Sequence, residues 1–197
     1  MYYKKICIMG ARKVGKTSLI QRYLNGNFNT VYQTVPGTRI DKSIIDVDRD
    51  KVHLMLWDIQ GEDQVSDGCL NYIKGASAIV YVVDGTRLET LPLALEYRRV
   101  VESHIGQSIP SIMLFNKSDL AAGWEISSSL ISELEFDGIF ALVNGIFALV
   151  TSCREGSGVG TAFDLITRVT MGKTALMPVM TLRQSLPDMD DHLQPRL

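Results

Sequence analysis

The run Gly10-Ala11-Arg12-Lys13-Val14-Gly15-Lys16-Thr17-Ser18 fits G-x-x-x-x-G-K-[ST] at every specified position. That spacing has a chemical reason. Gly10 and Gly15 let the backbone curl until successive N–H groups point inward at phosphate oxygens, and a helix opening near Gly15 adds its positive end. Lys16 can reach the outer phosphates as a point charge, and the Thr17 hydroxyl can bind Mg²⁺. The plain alternative is a chance glycine-rich turn. An apolar strand-like run before the loop and a helical pattern after it argue for the phosphate cradle.

Phosphate loops serve more than one base, and a second cluster addresses the choice. "FNKSD" (115–119) follows an apolar run, where open α/β sheets place ligand loops. The Asp119 carboxylate offers an acceptor pair that matches the adjacent N–H donors on a guanine edge; adenine carries no such pair. Asn116 could bond the base and neighbouring loops, and the aliphatic stem of Lys117 could cover a base face. A third cluster, Asp58-Ile59-Gln60-Gly61, ends another apolar run, and an Asp-x-x-Gly there can sense a terminal phosphate. Glu62 and Asp63 follow it directly, two acids where an anion is expected.

These clusters need a scaffold, and the chain between them supplies one. "KICIMG" (5–10) reads as a short strand and "GKTSLIQRYLNG" (15–26) as a helix closed by Asn25-Gly26. Residues 43–58 hold two β-rich runs around a polar turn at 48–50, a hairpin pattern. The runs 76–85 and 108–119 are near-continuously apolar, as in strands buried on both faces. A helix is predicted over 88–106 despite Pro92, and another over 161–172. The alternation predicts an α/β fold, a mostly parallel six-stranded sheet with one antiparallel edge hairpin and helices on both faces. A domain over 1–171 and a mobile tail over 172–197 are expected, since the tail holds Pro178, Pro187 and Pro195 and shows no sustained periodicity. "GIFALVN" (138–144) is followed at once by "GIFALVT" (145–151). Either the second copy keeps a single original strand, or Asn144-Gly145 turns a true extra hairpin.

Composition narrows the class further. Hydrophobic residues make up 46% and charged residues 21% of 197, enough to bury a full core in one domain. A net charge of −2 gives no global field for nucleic acid or an acidic membrane. Cys7, Cys69 and Cys153 are odd in number and far apart, which speaks against a disulfide framework and for a reducing compartment. No secretory signal, membrane-length apolar run, myristoylation glycine or prenylation cysteine is seen, so a cytoplasmic protein without its own lipid anchor is expected.

With the motifs in this order over residues 4–171, the sequence resembles a small GTPase of the Ras superfamily. Trp57 before Asp58 and the long 43–58 hairpin look Rab-like, while "TRLETL" (86–91) is similar to septation-type relatives. The resemblance implies that GTP or GDP binds at Gly10–Ser18 and at Asn116, Lys117 and Asp119, with Mg²⁺ present. It implies that Ser152, Cys153 and Arg154 form the loop whose backbone meets the guanine oxygen, with Cys153 where alanine is usual. Phe28 stands where the family sets an aromatic ring against the base; simple core packing is its plainer role. Asp58 would hold a water on the metal, and the Gly61 N–H would feel the γ-phosphate. A threonine of the first switch would cap the metal only when that phosphate is present. Thr34 fits if Pro36 is a one-residue insertion, leaving Thr38 to open the strand. Effectors, exchange factors and GTPase-activating proteins would bind through the switch loops.

Turnover is where the resemblance departs. Hydrolysing relatives usually carry glutamine directly after the Asp-x-x-Gly glycine, and Glu62 can accept a hydrogen bond but not donate one when ionised. Lys16, Thr34, Gly61 and Glu62 are the candidate catalytic residues. Arg12 stands where glycine is often found, and it is either a solvated side chain or a cis partner of Glu62. The expected activity is slow GTP hydrolysis. A nucleotide-loaded interaction module that does not hydrolyse is the alternative.

Overall fold

The computed structural model describes residues 1–25, 31–62, 67–106, 109–127 and 146–173. Its elements run β1 (Tyr2–Met9), α1 (Lys16–Asn25), β2 (Val31–Val35), β3 (Thr38–Val47), β4 (Asp50–Ile59), α2 (Asp67–Leu70), β5 (Ala78–Asp84), α3 (Thr90–Ile105), β6 (Ser111–Asn116), β7 (Ile146–Val150) and α4 (Val159–Thr170). The strands form one sheet in the order β2-β3-β4-β1-β5-β6-β7. β1 pairs in parallel with both β4 and β5, and β5-β6-β7 continue in parallel. The expected α/β architecture with a mostly parallel sheet is the one observed.

The sheet carries one strand more than the six expected. β2 lies in the segment assigned from sequence to the first switch loop, and it pairs antiparallel with β3 from Val31↔Lys42 to Val35↔Thr38. The residues explain it: Val31-Tyr32-Gln33-Thr34-Val35 is rich in β-branched and aromatic side chains, and Pro36-Gly37 fills the corner of a tight turn. The antiparallel part is therefore three strands wide, since β3 also pairs with β4 from Thr38↔Ile59 to Val47↔Asp50. Pro92 sits in the first turn of α3, where its missing N–H costs nothing. The second copy of the duplicated heptapeptide forms β7; the first copy, 138–144, and most of the tail lie outside the described residues.

Two cores flank the sheet. Ile6 and Ile8 of β1 join Val80, Val82 and Leu114 beneath α1 and α4, where Leu19, Ile20, Phe163 and Ile166 pack. Cys7 and Met9, on the opposite face of the same strand, join Tyr81, Val83 and Phe115 beneath Leu91, Ala94, Tyr97 and Val101 of α3. Fully buried β5 and β6 match their continuous apolar sequence. The C-terminal ends of β1, β4, β5 and β6 carry Met9, Ile59, Asp84 and Asn116, so the three motif loops issue side by side from one end of the sheet.

Candidate functional site

The loop between β1 and α1 wraps around the side chain of Lys16. Its ammonium is buried and donates to the carbonyls of Gly10 at 2.9 Å and Ala11 at 2.7 Å. Gly15 has φ 103°, and a Cβ there would overlap the Asn116 side-chain nitrogen. Gly61 is constrained by approach alone: a Cβ would strike the Lys16 ammonium and the Ala11 carbonyl. Thus the Asp-x-x-Gly glycine lies against the phosphate loop, with no room for a side chain between them.

A cavity of about 780 Å³ opens here, lined by Arg12, Lys13, Gly15, Lys16, Thr17 and Ser18 on one side. Gly37, Thr38 and Arg39 of the β2–β3 turn and Asp58 to Gly61 complete it. Within it the Thr17 hydroxyl donates directly to the Asp58 carboxylate. Burial pushes the Asp58 carboxyl up, opposed by that hydrogen bond and by the charges of Lys16 and Arg39. A hydroxyl and a carboxylate converging beside a phosphate cradle form an oxygen donor set that suits a hard cation such as Mg²⁺.

Asn116 joins this end to the loops at 116–119 and 151–155. Fully buried, it donates through Nδ2 to Val14 O at 2.9 Å, while its Oδ1 accepts the Cys153 N–H at 3.3 Å. That N–H belongs to the loop whose backbone the resemblance sets against the guanine oxygen; here it donates to Asn116. Asp119 accepts from the Ser152 hydroxyl at 2.6 Å, and the exposed Arg154 lies 4.0 Å from its other oxygen. Lys117 has φ 73° and places its ammonium 2.6 Å from Asp84.

Several expected residues are placed differently or lie beyond description. Phe28 is outside the described residues. Thr34 is in β2, its backbone opposite Arg39, and its side chain is outside the described set. Thr38 opens β3 as expected, lines the cavity and donates its hydroxyl to Asp58 O at 2.9 Å. Of the two readings of Arg12, a solvated side chain or a partner of Glu62, no Arg12–Glu62 pair is formed among the described residues, and Arg12 is exposed. Arg12 Nε instead donates to the carbonyl of Gly61 at 3.3 Å, and the Glu62 carbonyl accepts from the Tyr97 hydroxyl at 3.4 Å. The turn of the β2–β3 hairpin is also tied down: Gln60 N donates to Gly37 O at 3.0 Å and the Tyr72 hydroxyl to Pro36 O at 2.5 Å.

Sequence reasoning missed Asp84. This carboxylate, 0% exposed at the end of β5, accepts from Thr86 N and Oγ1, Arg87 Nε and Lys117 Nζ at 2.6–3.1 Å. Burial alone would raise it, but hydrogen bonds from Lys117, Arg87 and Thr86 outweigh burial and hold it at about 2. An acid closing an otherwise apolar strand, in "IVYVVDG", was the available signal.

A phosphate cradle on a strand–loop–helix unit, a cation-ready hydroxyl and carboxylate, and a carboxylate-bearing loop at the same sheet end define a nucleotide-binding protein of the phosphate-loop class. The family model described as "Ras family" matches residues 5–173, and the chain belongs to that family of GTP-binding molecular switches. Among curated relatives it is 28% identical over 176 residues to the "Ras-related protein Rab-7L1" of Rattus norvegicus, covering 86% of this chain and 83% of that protein. It is 26% identical to "Ras-related protein Rab-4" of Dictyostelium discoideum, covering 88% and 82%. With "Ras-related protein Rab-8B" of Homo sapiens it shares 28% identity, covering 87% and 80%. The resemblance is thus Rab-like. No helix among the described residues is long and apolar enough to cross a membrane.

Proposed function

We propose that this chain, through a domain spanning residues 1–171, is a Mg²⁺-dependent guanine-nucleotide switch that turns GTP over slowly. The observation that carries the reading is Asn116, which bonds Val14 of the phosphate loop while sitting in the base-reading loop beside Asp119. Asp119 reads the guanine donors, and the Gly10–Ser18 backbone and Lys16 hold the phosphates. Thr17, Asp58 and Thr34 of the first switch would hold a Mg²⁺ ion, which would supply charge neutralisation for the outer phosphates. Gly61 offers its N–H to the γ-phosphate, and loss of that phosphate releases the two switch segments. Effectors, exchange factors and activating proteins read those segments. The setting we infer is cytoplasmic.

Glu62 favours a second reading, a GTP-loaded interaction module that does not hydrolyse. The two are separated by identifying the nucleotide that co-purifies with the protein and then following a single turnover. Co-purified GDP or GTP is expected; an adenine nucleotide, or none with no guanine binding on addition, overturns the proposal. Measurable hydrolysis then selects the switch, and none selects the module.

The metal assignment has its own test. Thr34→Ala should leave GDP affinity within about twofold and weaken Mg²⁺-dependent binding of a GTP analogue about tenfold, ~1.4 kcal/mol, the size of one charge-assisted contact. Thr38→Ala should show no such split, because its hydroxyl is spent on the Asp58 carbonyl. The reverse pattern would move the role to Thr38.

A further inference from the structure

Arg87 lies outside the three nucleotide motifs, yet it bonds the phosphate loop directly and reaches Lys117 through Asp84. Its Nε donates to Asp84 at 2.9 Å and its Nη2 donates to the main-chain carbonyl of Arg12, in the phosphate loop, at 2.8 Å. Asp84 holds Lys117 of the base-reading loop on the same carboxylate oxygen, at 2.6 Å. We propose that Arg87 is a positioning residue for nucleotide retention, joining the phosphate loop to the base-reading loop through Asp84.

This role for Arg87 rests on the guanine-nucleotide reading above and on what each bond can do. A guanidinium has a planar fork of donors, so one arginine can hold a carboxylate and a carbonyl at fixed relative positions; lysine, a point charge, holds them less well. The Arg12 carbonyl belongs to the stretch of loop that lines the phosphate cavity. Fixing it keeps the neighbouring N–H groups aimed inward before a ligand arrives, and preorganisation of this kind raises affinity by lowering the ordering cost of binding. Asp84 is well placed as the pivot. It is fully buried, and Arg87 and Lys117 share its Oδ2, so loss of Arg87 changes the charge balance that holds Lys117. Asn116 already ties the same two loops at Val14, on the buried side. Arg87 adds a tie at the more exposed side, on the Arg12 carbonyl, beyond the bonds that Lys16 makes to Gly10 and Ala11.

The phosphate part of the ligand should therefore feel Arg87 more than the base does. In Arg87→Ala, affinity for a fluorescent GDP should fall about fivefold, near the upper range for a partly exposed charged contact. Affinity for GMP, which lacks the β-phosphate, should change less than twofold. Arg87→Lys should recover part of the GDP loss. Equal losses for GDP and GMP would indicate general loosening and overturn the positioning role, as would an unchanged GDP affinity in Arg87→Ala. The parent protein is titrated first: failure of the parent to bind GDP would remove the guanine reading itself, whereas binding by the parent with no effect of Arg87→Ala removes only the inference.

Discussion

Asp119→Asn is expected to lower GTP affinity about a thousandfold, ~4 kcal/mol, and to make xanthosine triphosphate the better ligand. The size follows from the chemistry of the pair. An ionised carboxylate accepts from both guanine donors through charge-assisted bonds, each worth more than a neutral one. An asparagine presents one acceptor and one donor, so one of the guanine donors meets another donor. Xanthine, with a carbonyl in place of the amino group, restores the match. The substitution should be mild for the fold, because the Ser152 hydroxyl that now donates to Asp119 can donate equally to an asparagine oxygen. Competition titrations with GTP, ATP and xanthosine triphosphate on parent and variant decide the matter. Equal binding of ATP and GTP by the parent would end the assignment of Asp119 to the base.

The second large effect concerns turnover. The parent should hydrolyse bound GTP at or below ~10⁻⁴ per second, the low end for this class, and Glu62→Gln should raise that rate about tenfold. A glutamine can accept from the attacking water and donate to a phosphate oxygen, whereas ionised glutamate adds charge where charge is already negative. Two unit charges about 4 Å apart interact by ~4 kcal/mol at an effective dielectric near 20, which bounds the penalty from above. Arg12 changes how the test is built. Since its guanidinium holds the Gly61 carbonyl, one residue from Glu62, Arg12→Gly acts by loosening Gly61 and should couple to Glu62→Gln and not simply add to it. Single-turnover assays on the parent, each variant and the double variant measure this. Fast hydrolysis by the parent with no gain from Glu62→Gln would refute it.

Different parts of the molecule were legible for different reasons. The loop of Gly10 and Gly15 and the helix opening at Lys16 could be read because their spacing is local, and the structure sets them between β1 and α1. β5 and β6 could be read because strands covered on both faces must be apolar throughout. β2 was hidden by its position: "VYQTV" has strand character, but a motif reading assigned the same residues to a loop. The partner of Arg12 was hidden for another reason. Glu62 and Gly61 are adjacent in sequence, and whether a guanidinium meets a carboxylate or the carbonyl beside it depends on rotamers that no spacing encodes. Asp84 and Arg87 announce nothing individually; they matter because β5 ends between the β1 and β6 loops, which is a property of strand order.

The alternation along β1 has a thermodynamic consequence. Ile6 and Ile8 belong to one core and Cys7 and Met9 to the other, so neither helical layer can melt alone without uncovering half of the strand that leads into the phosphate loop. The molecule is therefore built as one cooperative unit around β1, and the loop is its most sensitive outlet. A ligand held there adds its binding free energy to the stability of both layers at once, and withdrawal of the ligand weakens both together.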